Sequence, residues 1–155
     1  MTAGSHFEDY APGQQFESRG RTVTDADIRL FVGATNCDHP NHTDAEYCKR
    51  HPIFDRPCAQ GVLVLGLLDG FLAETVTTRM AASLNYGHDK VRYLKPTYIN
   101  DTVHGEIEVS ECVDRDDTWG LVRFDARAVN QDGEAVLYES HLVMVRKRSA
   151  EAAAT

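Results

Sequence analysis

The sequence predicts an α+β domain, and three observations carry that prediction. Helix signals fill the first half of the chain and alternating strand patterns the second. One stretch, 59–77, is so apolar that it reads as a helix buried against a strongly curved sheet. Neither an internal repeat nor a linker interrupts the 155 residues, which suit one domain. The expected boundaries are 1–148 for that domain and 149–155 for a short, Ala-rich, frayed tail.

Composition sets limits on function. With 42% apolar and 26% charged residues the chain is an ordinary globular protein. At this size a chain buries roughly 68–70% of its unfolded surface, so its core needs no disulfide or metal. A net charge of −8 argues against a general nucleic-acid binder. The acidic opening has no apolar segment of the kind a signal peptide carries. The longest apolar run contains Asp69 and reads as too short to span a bilayer. A cytoplasmic location is the default expectation, with Cys37, Cys48, Cys58 and Cys112 as reduced thiols.

In chain order, Pro12-Gly13 marks a turn, and Phe7, Tyr10 and Phe16 read as anchors onto the domain. Arg21-Thr22-Val23 is a short candidate strand. Thr24 is a helix N-cap, with Asp25 and Asp27 in the first turn, where carboxylates suit the positive helix end. Ile28, Phe31 and Val32 give that helix an apolar face, and Gly33 and Asn36 help to end it. Pro40 breaks the loop 36–42. Thr43 and Glu46 have capping-box spacing, predicting a short helix over 44–50.

The long helix follows over 59–77. Leucines and valines cover it on all sides, which predicts burial all round. Gly61, Gly66 and Gly70 weaken it, which is tolerable where another backbone or a ligand approaches closely. The remainder is strand: 82–86 and 90–94 around Gly87, then 102–110, 119–130 and 135–146. Val103, Gly105, Ile107 and Val109 share one face, as do Val122, Phe124, Ala126 and Ala128. Asn130 to Gly133 forms a hairpin loop of the Asp-Gly kind.

Several of these pieces, in this order, resemble the MaoC-like hydratases and dehydratases, to which R-specific enoyl-CoA hydratases belong. The resemblance covers roughly 7–147. It rests on Phe7-Glu8-Asp9-Tyr10 with Pro12-Gly13, on Arg21-Thr22-Val23-Thr24 with Asp27, and on Pro40, His42 and Asp44. It also rests on Ala59, Gly61 and Leu65-Gly66-Leu67, and on Val91-Arg92-Tyr93-Leu94-Lys95-Pro96 followed by Asp101. It implies a hot-dog fold, a long central helix wrapped by an antiparallel sheet. It also implies an acyl-CoA or acyl-carrier-protein thioester substrate, no cofactor, and a homodimer. The family motif reads G-D-x-N-P-x-H. Aligned without a gap on His42, this chain has Cys37 at the Asp position and His39 at the Asn position, with Asp38 one place late. Either the loop is rewound so that Asp38 acts, or the acid is gone, as in members related to mesaconyl-CoA and methylmalyl-CoA hydratases.

The implied reaction is reversible hydration of a 2-enoyl thioester. His42 would exchange the proton, Asp38 would orient water, and the Gly61 N–H would hold the thioester oxygen. Taken alone, His42 reads as a cap for the next helix, Asp38 as a turn residue and Gly61 as a packing glycine. Gln60, His39, Cys37 and Arg92 are expected at the substrate. Arg92 belongs to a sparse basic set with Arg79, Lys90 and Lys95 that suits CoA phosphates or, equally, a solvated strand face. The Cys and His residues over 37–58 fit no zinc spacing, so no metal is expected there. A thioesterase using Asp38, or a non-catalytic acyl-thioester binder, are the alternatives.

Overall fold

The computed structural model describes residues 4–152. The chain enters through a 3₁₀ turn, Phe7–Asp9, then β1 (Gln15–Glu17) and β2 (Arg21–Thr22). Phe7, Tyr10 and Phe16 pack against the core as anchors, and the Tyr10 ring meets Phe124 edge-on at 6.1 Å. Thr24 caps α1 (Asp25–Thr35), and Asp27 answers with its own carboxylate, 2.8 Å from the Thr24 N–H. Asn36 ends α1 in the left-handed conformation, φ 57°.

Two short helices follow, α2 (Pro40–Thr43) and α3 (Ala45–Cys48). Pro40 therefore begins a helical turn inside the expected loop, at the first position, where its missing N–H costs nothing. The cap of α3 is Asp44, whose carboxylate accepts from the Tyr47 N–H at 2.9 Å, one residue later than the expected Thr43. The central helix, α4, spans Gly61–Thr75.

β3 (Ser83–Tyr93), β4 (Thr102–Asp114), β5 (Trp119–Val129) and β6 (Ala135–Arg146) complete one antiparallel sheet, ordered β1-β4-β5-β6-β3, with β2 also on β4. The two strands expected around Gly87 are one. Register shifts between Asn85 and Gly87 and between Asp89 and Arg92 absorb the irregularity, with Lys90 at φ 53°. The hairpin joining β5 to β6 turns on the Asn130 side-chain oxygen, which accepts from the Asp132 and Glu134 N–H groups.

α4 lies on the inner face of this sheet. Val64, Leu67, Leu68, Phe71 and Leu72 meet Val103, Ile107, Val122, Phe124 and Ala126 in one core. Each such leucine or phenylalanine contributes about 1.5–3 kcal/mol by leaving water. The approach is close at Gly105, where a methyl group would stand 3.0 Å from Phe71 Cβ. The burial all round that the sequence predicts is not found: Val62 is 45% exposed, and Gly66, Gly70 and Glu74 continue that outer side. A single sheet can cover only one side of a helix. The 19 residues 61–79, with mean hydropathy 1.4, are also long and apolar enough to cross a membrane, contrary to the expectation of a run too short. Their apolarity here serves packing on the sheet.

After β6, α5 (Arg148–Ala152) forms one helical turn where fraying was expected. The Arg148 side chain reaches Asp9 at 2.7 Å and its N–H meets the Glu8 carboxylate, which ties the two ends together. The rest of the expected tail, 153–155, lies outside the described residues.

Candidate active site

The site forms where α2 meets the start of α4. His39 caps α2, and one turn carries His42 toward the segment preceding α4. That segment is pinned on both sides. The Cys58 N–H donates to the Asn41 carbonyl at 3.1 Å, and the Ala59 N–H to the Thr97 carbonyl at 2.7 Å. His42 Nδ1 then lies 2.8 Å from the Cys58 carbonyl oxygen. A carbonyl only accepts, so Nδ1 carries the hydrogen. In the neutral ring Nε2 is left with a lone pair, the form a general base needs.

Gln60 precedes α4 but does not cap it with its side chain. The first-turn N–H groups of a helix have no partner within the helix, so those of Gly61 and Val62 are available to an incoming oxygen, with the helix dipole behind them. Gln60 is instead a tie, its Nε2 donating to the Cys37 carbonyl at 3.3 Å. Its Oε1 is buried without a hydrogen-bond partner among the described residues. The Tyr93 ring covers Gly61 so closely that a methyl group there would stand 2.7 Å from a ring carbon.

These groups line a cavity of about 450 Å³, a size suited to a small organic ligand. Cys37, Asn41, His42, Gln60, Gly61 and Thr97 are among its lining residues that offer polar groups. Ile53, Phe54, Val62, Tyr93, Leu94 and Pro96 form an apolar flank. Lys95 also lines it, paired with Glu134 at 2.5 Å; none of the lining residues is an Asp or Glu. A larger depression of about 730 Å³ between β1, β4 and β5 is lined by Glu17, Glu106, Glu108 and Asp125. It is acidic and has neither a histidine nor a helix start, so it offers no equivalent chemistry.

The structure thus brings together four of the expected site residues, His42, Gly61, Gln60 and Cys37, and leaves three outside. Asp38 is exposed and accepts from the Thr43 hydroxyl at 2.9 Å. Its N–H is drawn back to the Asn36 carbonyl by the left-handed end of α1, so the loop is not rewound to bring the carboxylate inward. His39 is exposed, its Nδ1 held 2.6 Å from Asn41 Oδ1 at the head of α2. Arg92 lies out on β3 and bonds back to the Val91 carbonyl. Arg79, beyond the far end of α4, does not join Lys95. Burial pushes the Cys58 thiol up to about 11, helped by neighbouring Cys48, whose thiol burial also raises. Both are therefore neutral near pH 7, unlike a thiolate nucleophile. Tyr93 and the Cys58 carbonyl were not foreseen in the site. Tyr93 sits in the segment that carried the family resemblance, whereas a carbonyl contact leaves no mark on a sequence.

A central helix packed on an antiparallel sheet defines a hot-dog domain, and here the helix start and an oriented histidine line one pocket. The family model for the MaoC like domain matches residues 7–129, and the chain belongs to that family. It is 29% identical over 154 residues to a mesaconyl-CoA hydratase of Cereibacter sphaeroides, covering 98% of this chain and 44% of that protein. It is 28% identical over 109 residues to an (R)-specific enoyl-CoA hydratase of Rhodospirillum rubrum, covering 70% of this chain and 72% of that one. A solved structure titled a monoamine oxidase regulatory protein, from Archaeoglobus, superposes with a TM-score of 0.84 at 34% identity, covering 93% and 95% of the two chains.

Proposed function

We propose that this chain is a hydro-lyase for acyl thioesters, hydrating a 2-enoyl-CoA and, in reverse, dehydrating a 3-hydroxyacyl-CoA. The observation that carries the reading is His42, held through Nδ1 by the Cys58 carbonyl in the same pocket as the Gly61 N–H. Nε2 takes a proton from water, whose oxygen bonds to the β-carbon. The carbon–carbon π pair shifts toward the thioester, and negative charge gathers on its oxygen, where the Gly61 N–H and the helix dipole hold it. The resulting imidazolium returns a proton to the α-carbon and restores the base. The hydratase relatives support the reaction class. Net charge −8 favours CoA over an acidic carrier protein.

The test is loss of enoyl absorbance with crotonyl-, mesaconyl- and longer enoyl-CoA esters. Absence of turnover with all of them overturns the reading. Release of free thiol without hydration would favour the thioesterase, but that reading needed Asp38, which is not among the residues lining the pocket. The lack of a carboxylate in the lining favours one second reading, an acyl-thioester binding protein. Tight binding of the same esters without turnover would establish it.

The domain acts as a homodimer in this proposal. β3 ends the sheet and is 11 residues long. A long unpaired edge is a template for a second strand. Leu84, Tyr86 and Tyr93 are all more than half exposed along it, as is Leu94 just beyond its end. A cytoplasmic location is proposed with it, a compartment that suits the free thiols of Cys37, Cys48, Cys58 and Cys112.

A further inference from the structure

Two turns further along α4, about 12 Å from Gly61 by helical rise, a second group of polar side chains is gathered in the core. Glu139 on β6 is fully buried and His141 is 2% exposed, both facing the helix. Asp69 of α4 and His88 of the edge strand β3 close the group from the outside, with side chains 41% and 27% exposed. Across β5 their partners are Phe124 and Ala126, which offer no polar contact. His88 Nδ1 satisfies Glu139 Oε2 at 2.5 Å. His141 Nδ1 lies 3.2 Å from Asp69 Oδ1 and 3.5 Å from Glu139 Oε1. Yet His141 Nδ1 and Glu139 Oε1 both lack hydrogen-bonding geometry to any partner among the described residues. Two carboxylates thus crowd one buried nitrogen without satisfying it, an arrangement that costs free energy unless something lies between them.

We propose that Asp69, His88, Glu139 and His141 form a binding site for a divalent transition-metal cation of the zinc class. Donor atoms of Asp69, His88 and His141 already lie within 4.8 Å of one another. Zinc bonds of about 2.0–2.2 Å in a tetrahedron put neighbouring donors about 3.3–3.6 Å apart. The separations of 3.2 and 3.5 Å around His141 Nδ1 lie close to that edge; the 2.5 Å pair of His88 Nδ1 and Glu139 Oε2 is shorter than it, which leaves His88 Nε2 and Glu139 Oε1 as the ligand atoms. The donor set also selects the ion. Two imidazoles and two carboxylates suit zinc, iron, cobalt or nickel, whereas calcium and magnesium prefer oxygen alone. Two neutral imidazoles, two carboxylates and one divalent cation sum to zero charge, which a buried position requires. A cavity of about 210 Å³ touching Asp69 and His141 gives the ion a route from solvent. Bound there, it joins α4, β3 and β6 at one point.

The test uses the full chain stripped of metal by a chelator and then titrated with Zn²⁺ calorimetrically and with Co²⁺ by visible absorbance. The expected result is one ion per chain, cobalt bands of four-coordinate intensity, and a higher thermal midpoint with zinc. D69N and H88Q, both at the outer side of the group, should retain the fold by circular dichroism and bind at least tenfold more weakly. Absence of stoichiometric binding overturns the proposal and leaves a buried hydrogen-bonded cluster. So does unchanged affinity in both variants. Sulfur-to-cobalt charge-transfer bands would put the ion on the thiols near α2 and would also overturn it.

Discussion

His42 Nδ1 and the Cys58 carbonyl oxygen, 16 residues apart in sequence, meet at 2.8 Å. This one bond sets the tautomer of the imidazole and aims its basic nitrogen without help from a carboxylate. The family motif supplies an acid near its histidine; here the backbone before the central helix fixes the ring.

Replacing His42 by alanine should therefore remove the proton exchange while leaving the fold intact. General acid–base catalysis is worth typically about 10²–10⁴-fold. The expected fall in kcat is of that order, with an unchanged circular dichroism spectrum and retained binding of the acyl-CoA ester. Full activity in this variant would sink the mechanism though not the reaction class.

Cys37 faces the pocket and Asp38 does not. D38N should leave hydration within about twofold of the wild type. C37D, which restores a carboxylate at the lining position, should raise kcat by orienting water beside His42. If D38N abolished activity and C37D changed nothing, the loop would have to rearrange on binding substrate.

Gly61 is confined by Tyr93, with an added methyl only 2.7 Å from a ring carbon. G61A forces the ring off its position, an overpacking cost of about 1–3 kcal/mol. G61A combined with Y93A should recover most of that loss in denaturant unfolding. The two changes touch, so their effects should not add. Additive effects would mean that the glycine serves the helix backbone rather than the ring.

The Cys58 thiol is raised from 9.0 to about 11 by burial and by Cys48. A raised pKa in the fold means that the folded state holds its proton where the unfolded chain releases it. The contribution is complete below pH 9 and is lost as pH rises toward 11. The urea midpoint of the wild type should fall across that window, and C58A should show a shallower fall. At pH 8 both Cys48 and Cys58 should resist alkylation in the native protein and react on unfolding.

A dimer through the β3 edge should appear in light scattering at micromolar concentration as twice the chain mass. Proline at Leu84 and at Asn85, tested separately, should distinguish the two edges of β3. One of these adjacent N–H groups faces β6 and the other faces away from it, so one variant should lose stability and the other the dimer. A monomeric wild type would count against the pairing.

Much of the fold could be read from local signals. Thr24 with Asp27, the apolar run of α4, the alternation in β4 and β5 and the Asn130 turn each depend on neighbours a few residues away. The sequence carries such information directly, because capping, periodicity and turn chemistry are local physics. His42, Gly61 and Cys37 could also be placed together through their positions in a family motif, and Gln60 through its place just before Gly61. What only the tertiary structure decided depends on residues far apart. The Tyr93 ring on Gly61, the Cys58 carbonyl behind His42, the outward turn of Asp38 and the gathering of Asp69, His88, Glu139 and His141 all follow from how α2, α4 and the edge strand pack. No spacing within one element encodes these contacts, since each is closed by chain segments that only the folded sheet brings together.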